Sequence, residues 1–172
     1  RFLRLGKGRV ATSEHDLDLS DLISELVSLV QPAARHAGIS LEWKPPTVPI
    51  SVYADSELLG QAVMNLLLNA LDAATKNRAV TNRDGSVCIA LQRNGQESEL
   101  TVSDSGSGPT LDIADYVFEP FVTAKSEGVG LGLTVAKQGV ESCGGRISWT
   151  REKEKTHFTI RLPLAVEGDA NV

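Results

Sequence analysis

At 172 residues, with 41% hydrophobic and 23% charged side chains, the chain has the composition of a soluble globular domain with one sizeable core, which excludes disorder and collagen-like repeats. A net charge of −5, from 17 basic against 22 acidic residues, gives no bulk attraction for nucleic acid or an anionic membrane. No apolar run approaches the roughly 18 residues that a membrane-crossing helix requires.

In chain order, the polar opening 1–19 shows no sustained periodicity and reads as the end of a preceding element plus a linker. The chain begins at Arg1 rather than Met, as expected of a piece of something longer. Ser20 suits an N-cap, and Leu22, Ile23, Leu26, Val27 and Val30 recur at helical spacing to about His36. Ile39, Leu41 and Trp43 alternate as a strand, Pro45-Pro46 breaks it, and 51–55 is a second strand. A nearly all-apolar helix follows from Ser56 to about Ala74, capped by Asp55 or Ser56, with a polar loop over 76–85. Strands at 87–92 and 99–104 flank an Asn94-Gly95 turn. The stretch 105–132 is loop-rich. A helix from Leu133 to Ser142 stops at Gly144-Gly145, and strands at 146–150 and 156–164 form a closing hairpin before a frayed tail at 166–172. The domain proper is thus expected over 20–165, as an α+β two-layer sandwich with a mixed, mostly antiparallel sheet and helices on one face. Repeats with a period of about 20 to 50 residues are absent, which removes solenoids and propellers. Cys88 and Cys143 lack disulfide or zinc spacing and read as buried thiols of a reducing, cytoplasmic compartment.

Three segments carry chemistry. In the long helix, Gln61, Asn65, Asn69 and Asp72 fall on one polar stripe of an otherwise apolar cylinder, so the stripe faces a groove, a ligand or a partner with polar groups of its own, unless it is simply a solvated face. Short amides are poor helix formers, and an ordinary solvated face would carry Lys, Glu or Arg instead. DSGSG at 104–108 ends a strand: Asp104 presents an acceptor for an exocyclic amine, and Gly106 and Gly108 permit close backbone approach. EGVGLGL at 127–133 runs into a helix whose backbone amides suit a polyphosphate, with Lys125 just upstream as a counter-charge. The segment matches neither the P-loop nor the dinucleotide-fold pattern.

Taken in this order, the segments resemble the ATP-binding catalytic domain of bacterial sensor histidine kinases, within the superfamily that also holds DNA gyrase B, the large heat-shock chaperone and the mismatch-repair ATPase. QAVMNLLLNALDA at 61–73 is similar to the asparagine box, DSGSG at 104–108 to the first glycine box, FEPFVTAK at 118–125 to the phenylalanine box and GVGLGL at 128–133 to the second glycine box. TIRLP at 159–163 resembles the family's last strand. The resemblance implies a Bergerat-type ATP-binding fold and the cofactors ATP and Mg²⁺. It implies that Asn69 ligates the metal, that Asn65 supports phosphate or metal one turn earlier, and that Asp104 receives the adenine amino group beside Gly106 and Gly108. Lys125 would reach the terminal phosphates, and Gly128, Val129, Gly130, Leu131 and Gly132 would bring backbone amides to them. Phe118 and Phe121 would anchor a lid over about 109–128, and Thr156 would add a water-mediated adenine contact. Asp72, Val129 and Lys155 depart from the common pattern.

Position 65 separates the branches. The hydrolysing members carry a Glu four residues before the metal-binding asparagine, whereas Asn65 is a poor base, so bound ATP is spared for another nucleophile. Neutral imidazole is one. Of the three histidines, His15, His36 and His157, none has the helical context of a phosphoacceptor. The resemblance places the acceptor on a dimerisation hairpin upstream, with RFLRLGKG similar to the end of its second helix. It implies a homodimeric full-length protein, a monomeric fragment and a response regulator as partner, with no role for nucleic acid. The competing readings are a nucleotide-responsive interaction module and a slow ATPase switch.

Overall fold

The computed structural model describes residues 13–123 and 130–166. In order, these form β1 (Glu14–Asp18), α1 (Leu19–Ala37), β2 (Ile39–Trp43), β3 (Ser51–Asp55), α2 (Ser56–Thr81), β4 (Gly85–Asn94), β5 (Glu97–Asp104), a 3₁₀ turn at Ala114–Tyr116, α3 (Gly132–Ser142), β6 (Arg146–Glu152) and β7 (Lys155–Pro163). Five strands make a sheet in the order β2-β4-β5-β7-β6, in which the β2–β4 pair is parallel and the rest antiparallel. The α+β two-layer expectation holds, with the helices on one face of a mostly antiparallel sheet.

Strand alternation decides which face the helices cover. Val87, Ile89, Leu91, Leu100, Val102, Phe158, Ile160 and Leu162 point inward and meet Leu59, Val63, Leu66 and Leu67 of α2 and Ile23 and Val30 of α1, all buried in one core. Their neighbours point to water and pair across strands, Thr101 with Thr159 and Ser103 with His157. The open face is polar because no second layer covers it.

Four local readings change. Residues 14–18, expected in the linker, form β1, which pairs antiparallel with β3 from Glu14↔Asp55 to Asp18↔Ser51. A five-residue strand with a mostly exposed, charged sequence carries no periodic signal; the ladder to β3 specifies it. Asp18, not Ser20, caps α1, its carboxylate accepting from the Ser20 amide at 2.8 Å. Helix α2 runs on into the expected loop as far as Thr81, with Thr75 and Thr81 bonding back to the carbonyls four residues earlier, and Asn82 closes it in the left-handed conformation at φ 54°. Cys88 and Cys143 are half-buried rather than enclosed. No helix among the described residues is long and apolar enough to cross a membrane.

Candidate functional site

Helix α2 packs Leu59, Val63, Leu66, Leu67, Ala70 and Ala74 into the core, and its Asn69, Asp72, Ala73 and Lys76 border a gap between α2, the end of β5 and the start of α3. That gap is a cavity of about 520 Å³. Asn69 and Asp72 open onto it from α2, Asp104 and Gly108 from the end of β5, Gly130, Leu131 and Gly132 from the start of α3, and Thr156 from β7. The rest of its wall is largely apolar, including Ile113, Val117, Leu133 and Phe158. Most of the residues singled out from sequence therefore meet at one place, although they are up to 87 positions apart, from Asn69 to Thr156. Gln61 is exposed about two turns before Asn69 on the helix and does not join them.

Asn65 is not among the residues lining the cavity; its Nδ2 donates to the Gly132 carbonyl at 3.1 Å, which ties the second glycine segment to α2. Asn65→Ala would release that carbonyl. The expected result is an ATP affinity reduced about fivefold to tenfold, the worth of one hydrogen bond, with little change in the melting temperature. Isothermal titration alongside a thermal melt checks it. Asp72 pairs with Lys76 at 3.3 Å on the rim.

At the other end, Asp104 is 2% exposed yet ionisable. Burial pushes its carboxyl up to about 6, against the Gly106 amide, which donates to Oδ1 at 2.8 Å, and the positive Arg151 nearby, both of which favour the charge. The register explains the neighbours: Val87, Asp104, Thr156 and Arg151 lie side by side across β4, β5, β7 and β6. Gly106 fits because a Cβ there would lie 2.6 Å from the Ala73 Cβ of α2. Asn77 of α2, in the stretch read as loop, holds the Ser105 carbonyl at 2.8 Å.

Helices α1 and α2 begin on the capping carboxylates of Asp18 and Asp55. Helix α3 begins differently: its N-cap residue is Leu131, with no side-chain oxygen to offer, and its first turn carries no acid. Gly130, Leu131, Gly132 and Leu133 line the cavity at this helix start, where backbone amides suit an anion. Lys125, Gly128 and Val129 lie outside the described residues. Of the two expected lid anchors, Phe118 packs edge-on against Phe158 at 6.1 Å, while Phe121 is 73% exposed at φ 64°, and its backbone amide donates to the Gly130 carbonyl at 3.0 Å. Trp149, which the sequence reading did not single out, stacks on Phe158 and donates to the Ala114 carbonyl, pinning the 3₁₀ turn over the cavity.

Residues 54–166 match the family described as histidine kinase-, DNA gyrase B- and HSP90-like ATPases. The chain belongs to this family. Within it the similarity is to sensor histidine kinases. The chain is 32% identical over 151 residues to sensor histidine kinase ZraS of Escherichia coli K12, covering 87% of this chain and 31% of that protein. It superposes on the nucleotide-free catalytic domain of histidine kinase ThkA with a TM-score of 0.74 at 25% identity, covering 87% of this chain and 95% of that one. Full-length ShkA in complex with AMPPNP gives a TM-score of 0.75 at 25% identity, covering 95% of this chain and 34% of that one. The chain is thus an ATP-binding catalytic domain of the sensor-histidine-kinase type, and it spans about a third of the length of ZraS.

Proposed function

We propose that this domain binds ATP in the cavity between α2, α3 and the end of β5 and donates the γ-phosphoryl group to a histidine on a dimerisation domain outside these residues, as one step of two-component signalling. The observation that carries this is the polarity of the cavity: a buried carboxylate and apolar walls at one end, and Asn69 with the uncapped start of α3 at the other. The first end suits a purine with an amino group, the second a polyphosphate. Asp104 would accept from the adenine amine, Thr156 would contact the base edge, and the amides of Gly130, Leu131 and Gly132 would face the phosphates. Lys125, Gly128 and Val129 remain proposed phosphate ligands from the sequence alone.

No cluster of three His, Cys, Asp or Glu side chains that could hold a metal occurs among the described residues. Asn69, a residue of the cavity wall, has a carboxamide whose oxygen is a ligand type that fits Mg²⁺, which keeps several waters and takes its other ligands from phosphate. When bound, the ion neutralises phosphate charge. The work of the chain itself is positioning and water exclusion. With an amide rather than a carboxylate at position 65, and its Nδ2 bonded to the Gly132 carbonyl, that side chain offers no base to activate water. A neutral imidazole nitrogen attacks with its own lone pair. The new nitrogen–phosphorus bond forms as the bond to the bridging oxygen breaks, ADP leaves with that electron pair, and the proton on the other ring nitrogen passes to solvent. A response regulator is the next acceptor, and the full-length protein is a homodimer.

Mixing this chain with the dimerisation hairpin of its own full-length protein and γ-labelled ATP tests the proposal. Acid-labile phosphate is expected on the hairpin, lost on chelating Mg²⁺ and reduced at least about hundredfold in Asn69→Ala. ATP binding with no label on the hairpin would favour a nucleotide-responsive interaction module. Steady phosphate release without the hairpin would favour an ATPase switch.

A further inference from the structure

Arg151 stands on β6, outside all the motif segments, yet its guanidinium reaches the wall of the cavity. Nη1 donates to the Gly106 carbonyl at 2.9 Å and to Thr156 Oγ1 at 2.9 Å, while Nη2 donates to the Glu154 carbonyl at 3.3 Å. A guanidinium carries donors and no acceptor. In its bond to Arg151, therefore, the Thr156 oxygen can only accept, and the hydroxyl proton turns away from the guanidinium. Thr156 is 1% exposed, stands directly beside Asp104 in the ladder, and lines the cavity with it.

We infer that Arg151 is a positioning residue for base selection: by donating to Thr156 Oγ1 it fixes that hydroxyl as a donor beside the Asp104 acceptor, so the wall admits a purine with an amino group at C6 and an acceptor at N1. A 6-oxopurine presents the reverse pattern, a carbonyl at C6 and an N–H at N1, and meets carboxylate against carbonyl and proton against proton. The same polarity holds through a bridging water. A water that accepts from Thr156 keeps both protons for N1 and the Asp104 carboxylate, each an acceptor. Without the guanidinium the Thr156 hydroxyl rotates freely and accepts as readily as it donates. The inference rests on the reading of the Asp104 end as the base end of the ATP site.

The test is calorimetric titration of the 172-residue chain with ATP and with ITP at pH 8, the carboxyl of Asp104 then being ionised. In the parent protein ATP is expected to bind at least about a hundredfold more tightly than ITP, as buried polar partners left unmatched reject an analogue strongly. Arg151→Met is expected to narrow the ratio about tenfold, one hydrogen bond's worth. Thr156→Val should narrow it by a similar factor, and adding Arg151→Met to Thr156→Val should narrow it no further. Arg151→Lys, still a donor without an acceptor, and Thr156→Ser should each retain most of the selectivity. If Arg151→Met weakens ATP and ITP by one factor and leaves the ratio alone, Arg151 merely holds the glycine turn and the inference is overturned; additive losses in the double variant overturn it too. A parent protein that fails to prefer ATP, or an Asp104→Asn variant that keeps full ATP affinity, instead overturns the placement of the base.

Discussion

Asp104→Asn is expected to raise the dissociation constant for ATP at least about hundredfold and, in the same protein, to raise the melting temperature of the nucleotide-free domain. The two effects share one cause. Asp104 is 2% exposed, and burial lifts its carboxyl from 3.8 to about 6. A folded-state value above the unfolded one means that the folded chain holds the proton more tightly. The stability this gives is complete below about pH 3.8 and is lost as pH rises through about 6. Above that, the domain carries a buried charge whose cost the shift caps at about 3 kcal/mol. Asn removes the charge while its Oδ1 still accepts from the Gly106 amide, a bond of 2.8 Å in the parent. A gain of about 1–2 kcal/mol, or several degrees, follows at pH 7.5.

Binding moves the other way. With Oδ1 engaged by Gly106, the Asn side chain turns an NH₂ donor toward the adenine amine, donor against donor. The pH profile separates charge from shape: as pH drops through about 6 and the carboxylate is protonated, parental ATP affinity should fall more steeply than that of the Asp104→Asn protein, in which only the phosphates of ATP, common to both, titrate. Scanning calorimetry of the apo proteins and titrations from pH 5 to 8 give both readouts. A melting temperature that falls with ATP affinity intact would refute the assignment of a binding charge to Asp104.

The residues that build this site were legible in the sequence where local chemistry announced them. Amides on a buried helix, an acid at a strand end and glycines before a helix are each anomalous in their own segment, and Asn69, Asp104 and Gly130 to Gly132 do line one cavity. Other contributors have no local anomaly. Arg151 is an ordinary arginine in a strand, and only the pairing of Arg151 with Thr156 and of Thr156 with Asp104 brings it to the wall. Asn77 was hidden in a polar run read as loop, although that run continues α2 as far as Thr81. Strand β1 escaped for the same reason, since its identity lies in its partner, β3. Phe121 differs in the opposite sense: an aromatic residue suggests a buried anchor, whereas this one stands 73% exposed at a left-handed φ of 64°. Periodicity reports burial by a residue's own element; it is silent on contacts made by register.

Gly106→Ala is expected to destabilise the domain by about 1–3 kcal/mol and to weaken ATP binding at least about tenfold, although the change adds a single methyl group. The new Cβ would stand 2.6 Å from the Ala73 Cβ, 2.6 Å from Asp104 Oδ1 and 3.0 Å from the Ala73 carbonyl carbon. Helix α2 cannot retreat, because Ala70 and Ala74 on either side are 3% and 0% exposed against the core. The turn must move instead, and the bonds that fix it go with it: the Gly106 amide to Asp104, Asn77 to the Ser105 carbonyl, and Arg151 to the Gly106 carbonyl. Gly108→Ala should be milder. There the obstruction is chiefly the side chains of Thr156 and Arg151, and the left-handed φ of 75° adds about 1 kcal/mol. Space, not backbone freedom, is thus the reason for glycine at 106, and a second site tests that directly. Ala73→Gly costs about 1 kcal/mol of helix propensity by itself. Combined with Gly106→Ala it removes one of the two closest obstructions, so the double variant should bind ATP more tightly than Gly106→Ala alone. Strictly additive losses in the double variant would mean that the methyl group acts elsewhere than against α2.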